Sequence, residues 1–268
     1  MDTPGNCSQS DLAKSALDSQ EHRYSIVVPV FNEAAIIGHF CRRAKTDLPA
    51  GYELLICFDF DEDSTLPALA ALPPEDKPAN LRLIRNDLGP GVRYAIETGM
   101  NAAKAPVVLV TMADLSDDWS RVDEMIELIE SGADVVSASR YMKGGQQVGG
   151  PLIKRILSQT AGVTLYWIAG LPTHDPTNSF KTYSQAFLNK TPIESRAGFS
   201  LGLELTVKAH FLGGIVREIP TVWHDRPAGE SQFRIFAWLP HYLRWYVWAI
   251  GQRLRLLINL RLQPRSAS

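Results

Sequence analysis

Acidic residues recur where short apolar runs of this chain stop. The run Glu53–Asp59 ends in an acid, and Asp61 and Asp63 follow it. The run Val107–Thr111 leads into Asp114, Ser116, Asp117 and Asp118, and the run Ser25–Pro29 leads into Asn32 and Glu33. Carboxylates gathered at one edge of a sheet repel each other unless a positive partner sits among them. A divalent cation, Mg2+ or Mn2+, holding a diphosphate is the economical explanation. The competing explanation is structural: acids at strand ends cap the helices that follow, and Asp63, Asp117 and Asp118 are as open to that reading as to the first.

The elements that must position these groups alternate. Apolar, β-branched runs predict strands at Ser25–Pro29, Glu53–Asp59, Leu81–Ile84, Val107–Thr111 and Val135–Ser139. Helical spacing predicts helices over Glu33–Ala44, Gly91–Ala103 and Val122–Ile129. Such alternation implies an α/β fold with a mostly parallel sheet, whose ligands bind beyond the carboxyl ends of the strands. The acids stand at those ends. The stretch Gly89-Pro-Gly-Val-Arg-Tyr94 gives two glycines of a dinucleotide fingerprint, lacks the third and follows the third strand, so a dehydrogenase reading is weak. There is no phosphate-loop GxxxxGK[ST] and no HExxH.

Composition narrows the classes. The 268 residues, 45% hydrophobic, suffice for one large domain with an appendage. A net charge of −2 argues against a general nucleic-acid binder. Cys7, Cys41 and Cys57 form neither a CxxC nor a Cys/His cluster, which fits a reducing, cytoplasmic setting. Residues 1–23 are polar without an apolar run and read as a disordered tail, not a signal peptide. No stretch reaches the roughly 18–20 apolar residues of a membrane span.

Three stretches carry a family resemblance: YSIVVPVFNE from Tyr24, DPTNSFKTY at Asp175–Tyr183, and DRPAGESQF at Asp225–Phe233. Together they resemble the polyprenyl-phosphate branch of the inverting family 2 glycosyltransferases, the branch of dolichyl-phosphate mannosyltransferase. The resemblance implies a GT-A-type nucleotide-binding sheet flanked by helices over residues 24–234. It also implies transfer of a sugar from a nucleotide diphosphate sugar to a polyprenyl phosphate, in cell-envelope glycan synthesis.

Residue by residue, the resemblance implies that Pro29, Phe31 and Glu33 contact base and ribose. Cys57 and Asp59 match the second-strand segment, with Asp59 placed to bond the base. The usual DDxS is degraded here to Asp59-Phe-Asp61. In Met112-Ala-Asp114-Leu-Ser116, where most relatives carry Asp-Ala-Asp-Leu-Gln, Ala113 and Asp114 are donor-binding, and Asp114 and Ser116 bind the metal. Met112 replaces the first acid. Arg140, Lys154 and Ser158 take the acceptor phosphate. Alone, Lys154 and Arg155 could equally form a solvated helix face. Arg226 and Gln232 lie in the family's flexible loop over the donor diphosphate, where Gln232 replaces the usual Lys and Gly229 supplies hinge freedom.

Residues 235–268 are rich in Trp238, Tyr242, Trp245, Tyr246 and Trp248, interleaved with Arg244, Arg253, Arg255 and Arg261. That density suits an amphipathic helix in the headgroup layer, and hence a peripheral enzyme on the cytoplasmic face of a membrane. The alternative is an aromatic helix packed on the domain, on a membrane-protein partner or on a second copy. Two other functions remain open. One is transfer to a glycan hydroxyl, which needs a carboxylate base such as Asp118 or Glu204. The other is a weakly catalytic nucleotide-sugar-binding subunit.

Overall fold

The computed structural model describes residues 22–225 and 235–262. Strands β1 (Tyr24–Pro29), β2 (Tyr52–Phe58), β3 (Leu81–Arg85), β4 (Val107–Val110) and β5 (Val135–Ser139) fall where the apolar runs predict them. Between them lie helices α1 (Ile37–Asp47), α2 (Thr65–Ala70), α3 (Val92–Ala102) and α4 (Val122–Glu130). Then follow β6 (Gln146–Val148), α5 (Leu152–Thr164) with a π-helical turn at Leu165–Ala169, β7 (Lys181–Ser184) and α6 (Gln185–Lys190). Helix α7 (Ser200–Phe211), strands β8 (Val216–Pro220) and β9 (Val222–His224), and helix α8 (Ile235–Leu262) complete the described chain.

The main sheet has the order β3-β2-β1-β4-β7-β5-β8. Every strand is parallel except β7, which pairs antiparallel with both β4 and β5. Strands β1, β4 and β5 are buried along their whole length, as expected for strands covered on both faces. One layer packs Phe40, Trp119, Met125 and Ile126 against one face. The other packs Ile96, Met100, Leu201 and Leu205 against the opposite face. Strands β6 and β9 form a separate parallel pair beside the sheet's carboxyl edge.

Two expectations are corrected here. Arg23, assigned to the tail, belongs to the domain: its amide donates to Gly51 O at 2.6 Å, and its guanidinium reaches Glu130 and Asp123. The rest of that assignment, residues 1–21, lies outside the described residues. The aromatics of α8 face the protein. Trp245 is 2% exposed and donates its Nε1 to Ser195 Oγ at 2.8 Å, while Tyr246 bonds Thr164. Tyr242 and Trp248 pack into the same third core cluster, with Leu165, Leu203 and Val207. Burying an indole with its N–H satisfied gains more than leaving it in water. The exposed side of α8 carries the aliphatic Leu243, Val247, Leu254 and Leu257 together with Arg244 and Arg255. Among the described residues no helix is long and apolar enough to cross a membrane.

Helix α3 lies so close to β1 and β2 that a Cβ on Gly99 would stand 2.4 Å from Val27 Cγ1 and 2.6 Å from Cys57 Sγ. Gly99→Ala gains about 1 kcal/mol of helix propensity, but the overpacking against a stiff valine costs about 1–3 kcal/mol. The variant should be less stable by chemical denaturation; equal or greater stability would show that α3 can lift away freely.

Candidate active site

At the carboxyl ends of β1, β2, β4 and β5 lies a cavity of about 550 Å3. It gathers Pro29, Phe31, Glu33, Asp59, Asp114, Ser116, Arg140, Lys154 and Ser158, residues drawn from segments far apart in the sequence. Two of the assigned residues do not reach it. Cys57 is fully buried under Gly99, and burial pushes its thiol up to about 12. Ala113 packs into the core behind the loop. Only the backbone of these two can serve the site. Arg226, Gly229 and Gln232 lie outside the described residues.

Local structure decides the roles of the remaining acids. Asp63 accepts from the amides of Asn32 and Thr65, and Asn32 (φ 56°) receives the Ser64 amide in return. Asp63 therefore braces the turn that presents Phe31 and Glu33, a structural role, although Ser64 and not Asp63 is the N-cap of α2. Asp61 is exposed and paired with Arg85. Asp118 caps the Trp119–Arg121 turn through the Ser120 amide. Asp59 lines the cavity with its orientation fixed by Asn86 Nδ2 and the Gly91 amide, both at 2.7 Å.

Asp114 and Asp117 share the turn after β4. Asp114 Oδ1 accepts from the Ser116 amide at 3.1 Å and from its hydroxyl at 2.6 Å. Asp117 accepts from Thr111 Oγ1 and the Met112 amide. Burial and the neighbouring Asp114 charge push the Asp117 carboxyl up to about 7, against those hydrogen bonds. The turn is strained: Leu115, which is not a glycine, holds φ 60°. Such a conformation costs on the order of 1–3 kcal/mol and persists where surroundings over-determine it. One restraint comes from β9, whose His224 amide donates to Ser116 O at 3.0 Å.

These donors fit a hard divalent cation. Two buried carboxylates in mutual repulsion and a hydroxyl oxygen beside them suit Mg2+ or Mn2+, provided that substrate phosphates and water supply the other oxygens. Among the described residues no group of three or more His, Cys, Asp or Glu is placed to hold a metal alone. With Met112 on the cavity wall in place of an acid, the protein's own share is small.

The Arg140 corner of the cavity is built on a buried ion pair. Arg140 Nε donates to Asp175 Oδ2 at 2.7 Å and Nη2 to Oδ1 at 3.0 Å. Burial opposes both charges, yet Asp175 holds the guanidinium above its ordinary value, and Arg140 holds the carboxylate below its own. The DPTNSFK stretch thus fixes the plane of the Arg140 fork. Behind it Lys181 is buried, donating to the carbonyls of Asn178 and Asp175, and burial lowers its amine to about 7 against the pull of Asp175. Ser158 Oγ lies 2.5 Å from Tyr141 OH.

Sequence reasoning missed Gln147 and Trp223, which the short β6–β9 ribbon brings to the cavity, and Phe199. It placed Trp238 and Tyr242 in a membrane-facing or domain-packed helix and not at the site, whereas both line the cavity. A second, apolar cavity of about 280 Å3 opens between α5 and α8, lined by Leu157, Ala161, Leu203, Leu239, Leu243 and Tyr246. It shares Arg140, Lys154, Ser158, Thr177 and Tyr242 with the first.

A parallel sheet with one reversed strand and ligand groups along its carboxyl edge defines a GT-A glycosyltransferase fold. The family model of glycosyl transferase family 2 matches residues 25–197, and the chain belongs to that family. It is 25% identical over 234 residues to the dolichol-phosphate mannosyltransferase of Pyrococcus furiosus, covering 84% of this chain and 64% of that protein. It is also 25% identical over 238 residues to the polyprenol monophosphomannose synthase of Mycolicibacterium smegmatis, covering 87% and 89%. Among solved structures, glucosyl-3-phosphoglycerate synthase from Mycobacterium tuberculosis, crystallised with Mn2+, UDP and glucosyl-3-phosphoglycerate, has the same fold. Its TM-score is 0.62 at 16% identity, covering 94% of this chain and 86% of that one.

The Lys181 environment has a pH signature. Between pH 7 and 10.5 the unfolded chain keeps a proton on this amine that the folded chain has released. Stability should therefore rise with pH across that window, by up to about 1.4 kcal/mol per unit. Urea denaturation of wild type and Lys181→Met at pH 7 and 9 reads this as a difference that changes with pH. A constant difference would mean that folded Lys181 stays charged.

Proposed function

We propose that this chain transfers a sugar from a nucleoside diphosphate to a polyprenyl phosphate, with inversion, at a membrane surface. The observation that carries the reading is the shared mouth of the two cavities. The larger cavity, which holds the acids and cations within a largely apolar wall, and a smaller apolar groove share Arg140, Lys154, Ser158 and Thr177. A ligand with a phosphate head and a hydrocarbon tail matches that sequence of surfaces. The names of the Pyrococcus and Mycolicibacterium relatives point the same way.

An oxygen of the acceptor phosphate attacks the anomeric carbon as the bond to the donor diphosphate breaks, and the nucleoside diphosphate departs from the opposite face. A phosphate monoester has its second pKa near about 6, so the nucleophile is already ionised and needs no general base. This agrees with the fate of the two candidate bases. Asp118 is a cap, and Glu204 is buried, accepting from the amides of Glu194 and Ser195 and from Lys208. Neither lines the cavity, so neither is placed to serve as the base that transfer to a glycan hydroxyl would need.

In this reading Phe31, Glu33 and Asp59 hold the nucleoside, while Arg140 and Lys154 orient the attacking phosphate. Asp114 and Ser116 would hold Mg2+ or Mn2+, which when bound supplies charge stabilisation to the leaving diphosphate. Arg226 serves the same diphosphate from the loop, as the family resemblance implies. The exposed apolar side chains flank the groove: Leu152, Ile153 and Ile156 on α5, Trp167 at 77% exposure on the π-turn, and Leu243 and Val247 on α8. A patch of that kind marks an interaction surface, and for a lipid substrate the fitting surface is a bilayer.

Purified protein assayed with a panel of nucleotide sugars and polyprenyl phosphate, with and without a divalent ion, tests the reading. No transfer to lipid phosphate from any donor would overturn it. Asp114→Asn should cut turnover at least ~100-fold, the scale of losing a key electrostatic group; near-normal turnover at saturating donor would remove Asp114 from the site. Ala161→Trp fills the apolar groove away from the donor. It should abolish use of long polyprenyl phosphates while calorimetry shows unchanged donor binding. Equal use of the lipid by this variant would mean that the tail leaves by another route.

A further inference from the structure

The turn that carries Asp114 and Ser116 is held from outside at three successive carbonyls. Ser116 O takes the His224 amide. The other two are taken by one side chain on the far side of the turn, Arg43 of α1. Its Nη1 donates to Leu115 O at 3.5 Å and its Nη2 to Asp117 O at 3.3 Å. Its guanidinium lies 4.3 Å over the Trp119 ring. Trp119 is itself fixed, buried edge-on against Phe40 and donating its Nε1 to Thr111 Oγ1 at 3.1 Å.

Arg43 also pairs with Asp47 one helical turn on, at 2.9 Å. That pair is partly exposed, contributes little, and a lysine could make it as well. What requires arginine is the planar fork, which reaches two carbonyls while its face stacks on an indole. The first of those carbonyls belongs to the strained Leu115, at φ 60°, and the Ser116 amide that donates to Asp114 follows it directly in the chain. Without the fork, the turn loses two of the three bonds that its carbonyls accept from elsewhere among the described residues, both beside Leu115.

We propose that Arg43 is a positioning residue for cation binding, acting through the 114–117 turn rather than by touching the ion or the substrate. The proposal rests on the reading of Asp114 and Ser116 as cation ligands. Neither Arg43 nor Trp119 lines the cavity, so a change at either reaches the site only through the backbone they hold.

The test is a calorimetric titration of Mn2+ into the full chain with UDP and, separately, GDP present, well below the thermal midpoint of each variant. Arg43→Met keeps an unbranched stem against Trp119 and removes the fork. It should weaken Mn2+ binding ~10-fold or more, the scale seen when a partner behind a metal ligand is lost, with metal-free nucleotide affinity unchanged. Arg43→Lys should weaken it similarly. Adding Leu115→Gly to Arg43→Met should recover most of the loss, because glycine holds φ 60° without strain; a merely stabilising role for Arg43 would show no such recovery. Asp114→Asn serves as the reference. If it weakens Mn2+ binding and Arg43→Met does not, the positioning role is wrong. A loss in Arg43→Met that Leu115→Gly fails to recover overturns it as well, since Arg43 would then act by some other path. Unchanged binding in Asp114→Asn would show instead that the ligand assignment has failed, and the proposal with it.

Discussion

Charge burial at the carboxyl ends of β4 and β5 is the constraint on which the site depends. Asp114, Asp117, Asp175, Arg140 and Lys181 are all withdrawn from water within a few residues of the sheet's edge. An isolated charge would be prohibitive there, so each must find a partner or give up its charge. Arg140 and Asp175 take each other in a two-bond fork. Lys181 is drawn down to about 7 and Asp117 up to about 7, each by burial first. Asp114 adds to the rise at Asp117, on the side of the cavity where a cation and a diphosphate are proposed to bind.

The reversed strand makes that balance possible. A parallel β4–β5 neighbourhood would set two similar chain ends side by side. Inserting β7 antiparallel between them pairs Val110 and Ser137 with Lys181, at the edge where β4 and β5 finish. The residues just before β7 then cross the edge itself. Asp175 meets Arg140 at the end of β5, and Asn178 Nδ2 donates to Ala138 O. The stretch that the family resemblance tied to the acceptor side is thus the support of the Arg140 corner. Asp175 fixes the guanidinium plane, and a fork held in place loses less freedom on meeting a phosphate.

Much of this was legible in the sequence. The parallel strands are buried on both faces and read as continuous apolar runs, so their positions and the acids at their ends stood out. The same continuity hid which way each side chain points. Cys57, inside such a run, belongs to the core under Gly99 while Asp59, two residues on, reaches the cavity past the strand's end. The ribbon β6–β9 has three residues in each strand, too few for a periodic signal. The aromatics of α8 showed that the helix must bury something, not whether lipid or protein would cover it; the grooves between α7, the π-turn and α8 took them. Arg43 left no trace at all, because the carbonyls it serves are 72 and 74 residues away.

Helix α8 joins the cavity to the proposed membrane face. Tyr242 lines both cavities, and Trp238, one turn earlier, packs edge-on against Phe199 at the rim of the first. Leu243 and Val247 are exposed on the same helix. Five residues of helix span about 7.5 Å, so Tyr242 at the cavity and Val247 on the exposed face are less than two helical turns apart. A phosphate placed at Lys154 leaves its first hydrocarbon units beside Leu157, Leu239 and Leu243, and beyond them lies the exposed face. The aromatics that looked like an anchor serve that geometry from the inside: by fastening α8 to the domain through Trp245 and Ser195, they hold the groove at a fixed height above whatever the exposed face rests on.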